Sequence, residues 1–339
     1  MSFKRLETND FVISADAVTA PLWTGYSPTL TQFFTSSVQA AGSTGAYYLS
    51  VYQTGSTLTG AEVQFDVIYG NKYGSGSALY NTAVEGKSPT STIYGQYRTL
   101  VNGDENTDFD FGGVMATEFY GISVSRNRYK ESLFPGSLTL TLRSGSNSLT
   151  LTDDSQVSNT VVFKDAGRVF QLVSGSAGTV NTTKASTGYT VGSGSYGWFL
   201  PDIGTILLNP LALTASVANG GMAFNTNRSS NTNTYNQWAL TSAISGGASF
   251  TLNSQETITS DYVFVRPRSS EFNYSENPSY ISGSTGEVLF DDFINNPQTY
   301  ITTVGLYNDT NDLLAVAKLS RPLTKNFTKE ALIRVKLDF

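Results

Sequence analysis

Oxygen-bearing side chains at alternate positions, Asp104, Asn106, Asp108 and Asp110, are the sharpest candidate for chemistry in this sequence. Hard cations such as Ca²⁺ prefer such oxygen ligands. The run lacks the central glycine and terminal bidentate glutamate of a helix–loop–helix calcium site, with Phe109 and Phe111 in their place. The simpler reading is a solvated acidic loop between two helices, and no metal or other cofactor is expected. Asn308 to Asp312 is a second oxygen-rich stretch, better explained as a hairpin turn. Asp153–Asp154, Asp291–Asp292 and the pair Glu271 and Glu276 are candidates for the two carboxylates of a glycoside hydrolase. With 27 acidic residues, such neighbours arise by chance, and a protein without catalysis is the expectation.

Composition removes further chemistry. The 339 residues include no His and no Cys. That excludes a Ser-His-Asp triad, an imidazole base, a thiolate nucleophile and disulfides, along with the usual Zn and Cu ligands. The net charge is −6, and no Lys/Arg-rich run marks a nucleic-acid groove. No apolar stretch reaches the length of a membrane helix; Ile203 to Leu213 comes nearest and is broken by Asn209 and Pro210. The opening Met1 to Glu7 lacks the apolar core of a signal peptide, so synthesis in a cytoplasm is expected. Gly70 to Ser77 and Gly192 to Gly197 are glycine-rich but carry neither a P-loop ending nor a dinucleotide fingerprint.

What remains is surface for contact with other molecules. Arg126, Arg128 and Lys130 surround Tyr129 in the one local concentration of positive charge. On a helix, Arg126 and Lys130 would share a face and grip carboxylates of a partner. The alternative is a solvated helix face near a C-terminus. Trp23, Tyr26 and Trp238 are aromatic anchor candidates, either for a partner subunit or as a sugar platform.

The elements that must position these residues are mostly strands. Val63, Phe65 and Val67 alternate with Glu62, Gln64 and Asp66, the period-two mark of a half-buried strand. Ser137 to Arg143 and Ser148 to Thr152 flank a Ser-Gly-Ser-Asn turn and read as a hairpin. Tyr300 to Tyr307 and Leu313 to Leu319 form a second, and Glu330 to Phe339 a last strand with one apolar face. Helices are predicted after the Ser88-Pro89 start, ending near Asn102-Gly103, and over about Val114 to Leu133. Asn219 to Asn236 reads as a long exposed loop. The fold class is mainly β or α+β: antiparallel sheets with hairpins and a small helical layer from the N-terminal half. An N-terminal α+β region 1–136 with two candidate helices and a β-rich region 137–339 with the C-terminal hairpin and final strand are expected, with one intertwined domain as the alternative.

Three segments resemble a known group of proteins. Asn71-Lys72-Tyr73-Gly74-Ser75-Gly76-Ser77 and Arg128 to Gly136 are similar to stretches in virion structural proteins of contractile-tailed phages, especially T4-like cyanophages. So is the ending Tyr300 to Phe339, above all Thr303 to Asn308 and Leu314 to Leu323. The resemblance covers about a quarter of the chain and carries no chemical motif. It implies a non-enzymatic tail subunit, best matched by a baseplate wedge protein, in the virion after synthesis in the host cytoplasm. Its partners would be other tail and baseplate proteins and further copies of itself in a symmetric assembly, with no nucleic acid and no membrane insertion. A host-surface glycan-binding adhesin, or a neck or head-decoration protein, is the alternative.

Overall fold

The computed structural model describes residues 3–35, 47–77, 88–183, 185–190 and 192–338. In chain order, the first elements are β1 (Phe11–Pro21), β2 (Thr29–Leu30), β3 (Phe34–Thr35), β4 (Tyr48–Tyr52) and β5 (Val63–Asn71). Helix α1 (Pro89–Asn102) is followed by β6 (Phe109–Phe111), β7 (Val114–Ala116), β8 (Glu118–Val124) and β9 (Ser132–Leu133). Then come β10 (Thr139–Ser144), β11 (Asn147–Asp153), β12 (Val162–Lys164), β13 (Gly167–Ser176) and β14 (Thr179–Val180). Strands β15 (Gly197–Leu200) and β16 (Thr205–Leu208) precede α2 (Pro210–Thr214) and α3 (Tyr235–Gly247). The last elements are β17 (Phe250–Thr251), β18 (Asn253–Val265), α4 (Asp292–Asn295), β19 (Thr299–Tyr307), β20 (Leu313–Lys325) and β21 (Ile333–Asp338). The protein is mainly β, with antiparallel sheets, hairpins and few helices.

The chain forms two compact units, Val18–Glu256 and Met1–Ala17 with Thr257–Phe339. Position 136 lies inside the larger unit, between β9 and β10, and the smaller unit is assembled from both ends of the chain. The larger unit is built on one long sheet in the order β2-β17-β10-β11-β13-β15-β16-β8-β5-β4-β3, with β12 and β14 added to β13. Its central strands are buried on both faces, which makes them read as unbroken apolar runs. Phe199, Ile206 and Leu208 join one core with α3 residues Leu240 and Ile244. Their neighbours Trp198, Leu200 and Leu207 point the other way, into a second core with Tyr94 and Val101 of α1.

Helix α1 starts and stops as its sequence predicts. Ser88 N donates to Ser91 Oγ at 3.3 Å, Pro89 occupies the first turn, and Gly103 closes the helix at φ 66°. The helix expected over 114–133 is absent; that stretch forms β7, β8 and β9, with a single 3₁₀ turn at Arg126–Arg128. Its apolar residues are spaced closely enough to mimic a helix face because β8 is buried on both sides. The second long helix is α3, in a region where none was expected. Its stripe of Leu240, Ala243 and Ile244 is flanked by buried Asn236, Gln237 and Thr241, and these polar residues hide the helical period. The stretch read as an exposed loop is also partly buried: Met222 and Phe224 join the core, and Thr226 accepts from Tyr120 Oη at 3.2 Å.

The smaller unit holds the C-terminal part of β18 against β21, in register from Ser260↔Asp338 to Val265↔Ile333. The hairpin β19–β20 forms as predicted, closed by the turn at Asn308 to Asp312, where Asn308 Oδ1 accepts from Thr310 N and Asp312 N. Val263, Val304, Ile333 and Val335 make its compact core. The expected terminal aromatic, Phe339, lies outside the described residues.

Candidate interaction surface

The acidic run after α1 does not converge on a cation. Asp104 folds back on its own turn, Oδ1 accepting from Asn106 N and Oδ2 from Thr107 N, both at 3.0 Å. Asp108 accepts from Lys72 Nζ at 2.7 Å and from Tyr94 Oη at 2.9 Å. Asp110 accepts from Gly113 N at 2.7 Å in the β6–β7 turn. The loop joins a helix to a hairpin, not to a second helix, and each carboxylate fastens a different piece of backbone or side chain. Among the described residues, no three His, Cys, Asp or Glu side chains are grouped to hold a metal ion.

The adjacent carboxylates at the end of β11 are likewise structural. Both oxygens of Asp153 accept from Gly136 N, at 2.9 and 3.0 Å, and Asp154 Oδ1 accepts from Gln171 N at 2.9 Å. Burial raises both groups, Asp154 to about 6. Asp153 ends β11 and Asp154 lies in the bend that follows, so the two carboxylates hold different stretches of backbone.

The basic run is tied up within the larger unit. Arg126 donates from Nη1 to Tyr129 O and lies 4.6 Å from the Tyr129 ring centroid, a cation–π contact. Arg128 donates to Thr24 Oγ1 at 2.7 Å and pairs with Glu62 at 2.5 Å. Lys130 pairs with Glu256 at 2.5 Å. With a 3₁₀ turn in place of an α-helix, Arg126 and Lys130 share no helical face. Tyr129 itself is buried, part of the larger core.

The aromatic candidates separate by burial. Trp23 is a core residue, 1% exposed, and its indole Nε1 donates to Phe250 O at 2.9 Å. Trp238 on α3 is exposed at 37%. Tyr26, at the tip of the turn bridged by Trp23 and Ser27, stands 85% exposed. Of the three, Tyr26 projects furthest into solvent.

The larger feature was not visible in the sequence. In the smaller unit, Phe11, Val12 and Ile13 at the start of β1 are all exposed, Ile13 at 73%. A strand with solvent on both faces should carry polar residues; this one carries three apolar ones in succession. Strand β1 ends its sheet, and among the described residues nothing pairs with its outer edge. Both outer edges of the β19–β20 hairpin are open in the same sense. Leu313, Leu314 and Val316 of β20 are exposed as well. Phe3, Leu6, Phe11, Leu306, Tyr307 and Leu314 line a concavity of about 1060 Å³ in this unit.

Two concavities of the larger unit bear on ligand binding. One of about 820 Å³ is lined by hydroxyls of Thr139, Thr141, Thr150 and Ser174, with Tyr189 and Tyr196 beside them. The other, about 510 Å³, lies by α1 and contains Asp66, whose carboxyl burial pushes up while Ser50 Oγ donates to it at 2.7 Å. No family model, curated protein or solved structure matches the chain.

Proposed function

We propose that this chain is a non-enzymatic structural subunit of a contractile phage tail, stationed in the baseplate wedge. The observation that carries the reading is the row Phe11, Val12 and Ile13 on an open sheet edge. Exposed edge strands are normally charged, short or covered, since they template pairing with another chain. A long apolar edge is understandable when assembly covers it, and a particle component is always assembled. The segments resembling T4-like virion proteins point to the same setting, and two stretches of the last of them, Thr303 to Asn308 and Leu314 to Leu323, lie on the open hairpin. Other tail proteins and further copies of this chain are the partners it would meet.

Mass spectrometry of virions split osmotically into heads, tails and baseplates tests the proposal. Recovery with baseplates at several copies per particle supports it. Recovery with heads or necks keeps a virion role and removes the wedge. Absence from all fractions ends the virion reading. The hydroxyl-lined concavity favours a second reading, a glycan-binding adhesin, because uncharged hydroxyls beside tyrosines suit sugars. A glycan array with the purified chain decides that alternative.

A further inference from the structure

The smaller unit buries a lysine completely. Lys325, the last residue of β20, is 0% exposed. Its Nζ donates to Ser269 O, Asn326 O and Asn273 Oδ1, each at 2.9 Å. All three acceptors are neutral, so none supplies the opposite charge that normally accompanies a buried ammonium. Burial accordingly lowers the lysine's affinity for its proton, while the charges of Glu271 and Glu330 act on it in the opposite sense.

The carboxamide beside it is equally fixed. Asn273 Nδ2 donates at 2.7 Å to Ser269 O, the same carbonyl that accepts from Lys325 Nζ, which fixes the carboxamide with its oxygen on the lysine. Thr299 is the register partner of Lys325, and its Oγ1 donates to Phe272 O at 2.6 Å, clamping the backbone one residue before Asn273. The lysine nitrogen is thus hydrogen-bonded to the oxygen of a fixed carboxamide, so the two groups that would react are already neighbours and little freedom is left to lose.

We propose that Lys325 and Asn273 join in an intramolecular isopeptide bond. The ammonium first gives up a proton. The amine's lone pair then attacks Asn273 Cγ, a new C–N bond forms, and the bond from Cγ to Nδ2 breaks. The amine's second proton and the one first released both end on the departing nitrogen, which leaves as an ammonium ion. In sum, one ammonium and one carboxamide become one secondary amide and one ammonium ion, with no oxidant or co-reactant. In a chain without cysteine, this links the end of β20 to a loop 52 residues earlier by a bond indifferent to redox conditions.

Intact-mass measurement of the purified full chain under denaturing conditions reads the bond directly. The expected mass is one ammonia below that of the sequence, with a branched peptide joining the Asn273 and Lys325 segments after proteolysis. Lys325→Arg and Asn273→Ala should each restore the full mass. If either variant fails to fold, the wild-type peptide map alone decides. A full-mass chain with both peptides linear overturns the proposal. So does an ammonia loss that maps elsewhere, such as a succinimide at Asn102-Gly103.

Discussion

Gly70 and Phe119 are register partners across β5 and β8, and a Cβ on Gly70 would lie 2.8 Å from the Phe119 ring. The reverse arrangement holds two positions along, where Ile68 faces Gly121 and a Cβ on that glycine would meet Ile68 Cγ1 at 2.6 Å. Each large side chain lies over the hydrogen of the glycine opposite. This crosswise packing brings α1 down onto the sheet, since Tyr94 and Tyr97 stack edge-on to Phe119 or tilted against it.

Gly70→Ala therefore overpacks a layer with no free volume. Its neighbours are a ring and the Tyr94 backbone at 3.2 Å, so relief requires moving α1. The expected cost is about 1–3 kcal/mol, read as a lower denaturant midpoint. Gly95→Ala, where nothing lies within 4 Å of the added Cβ, should stabilise the helix or leave it unchanged. Equal losses from both would refute the packing argument.

Trp23 gives a test that separates core from interface. Its ring packs on Phe65 and Phe250 while its N–H satisfies Phe250 O. Trp23→Phe removes a buried donor and part of a ring, an expected loss of about 2–4 kcal/mol. At temperatures where the variant stays folded, its capacity to join other subunits should match the parent's. A variant that melts normally but fails to associate would return Trp23 to the interface.

Local signals made α1 legible: a Ser-Pro start, a glycine stop and apolar residues one turn apart. The two hairpins and β21 were legible for similar reasons, because turn residues interrupt period-two alternation. Strand β8 misled because burial on both faces erases that alternation, and Gly121 is explained only by Ile68 on a distant strand. Helix α3 escaped because Asn236 and Gln237 are buried by partners outside the helix: Asn236 Nδ2 donates to Asn227 O in the preceding loop, and Gln237 Nε2 to the distant Tyr47 O. The smaller unit joins the two ends of the chain, a pairing that no window of sequence contains. The run Phe11-Val12-Ile13 has the composition of a strand, and a core strand and an interface strand share that composition. Only tertiary exposure tells them apart.

Asp153 and Asp154 set a pH dependence whose sign follows from burial. Both carboxyls hold their protons more tightly in the folded chain, Asp154 to about 6 against an ordinary value of 3.8. A raised folded value makes the folded state bind more protons than the unfolded one across that interval. Stability contributed by these groups is greatest below 3.8 and falls as the pH rises toward 6. Asp154→Asn keeps an oxygen to accept from Gln171 N and removes the charge. It should exceed the parent's stability at pH 7 by about 1 kcal/mol, a figure reduced for partial exposure, and converge with it near pH 4. Denaturant midpoints at the two pH values check this, and a variant less stable than the parent at pH 7 contradicts it.

The open edge of β1 supplies the test closest to function. Ile13 and Leu314 are 73% and 68% exposed, so Ile13→Glu and Leu314→Glu remove almost no internal contact. Each variant should fold with stability within about 0.5 kcal/mol of the parent. If these strands dock on partners, however, a buried carboxylate at the junction is costly, and association should fall at least tenfold. Sedimentation of the purified chain across a concentration series reads self-association. Incorporation of tagged variants into particles reads assembly with other proteins. Normal melting with lost incorporation identifies the edge as the docking surface. Normal melting with normal incorporation assigns docking to another face, and Tyr26, projecting from the larger unit, is then the residue to change next.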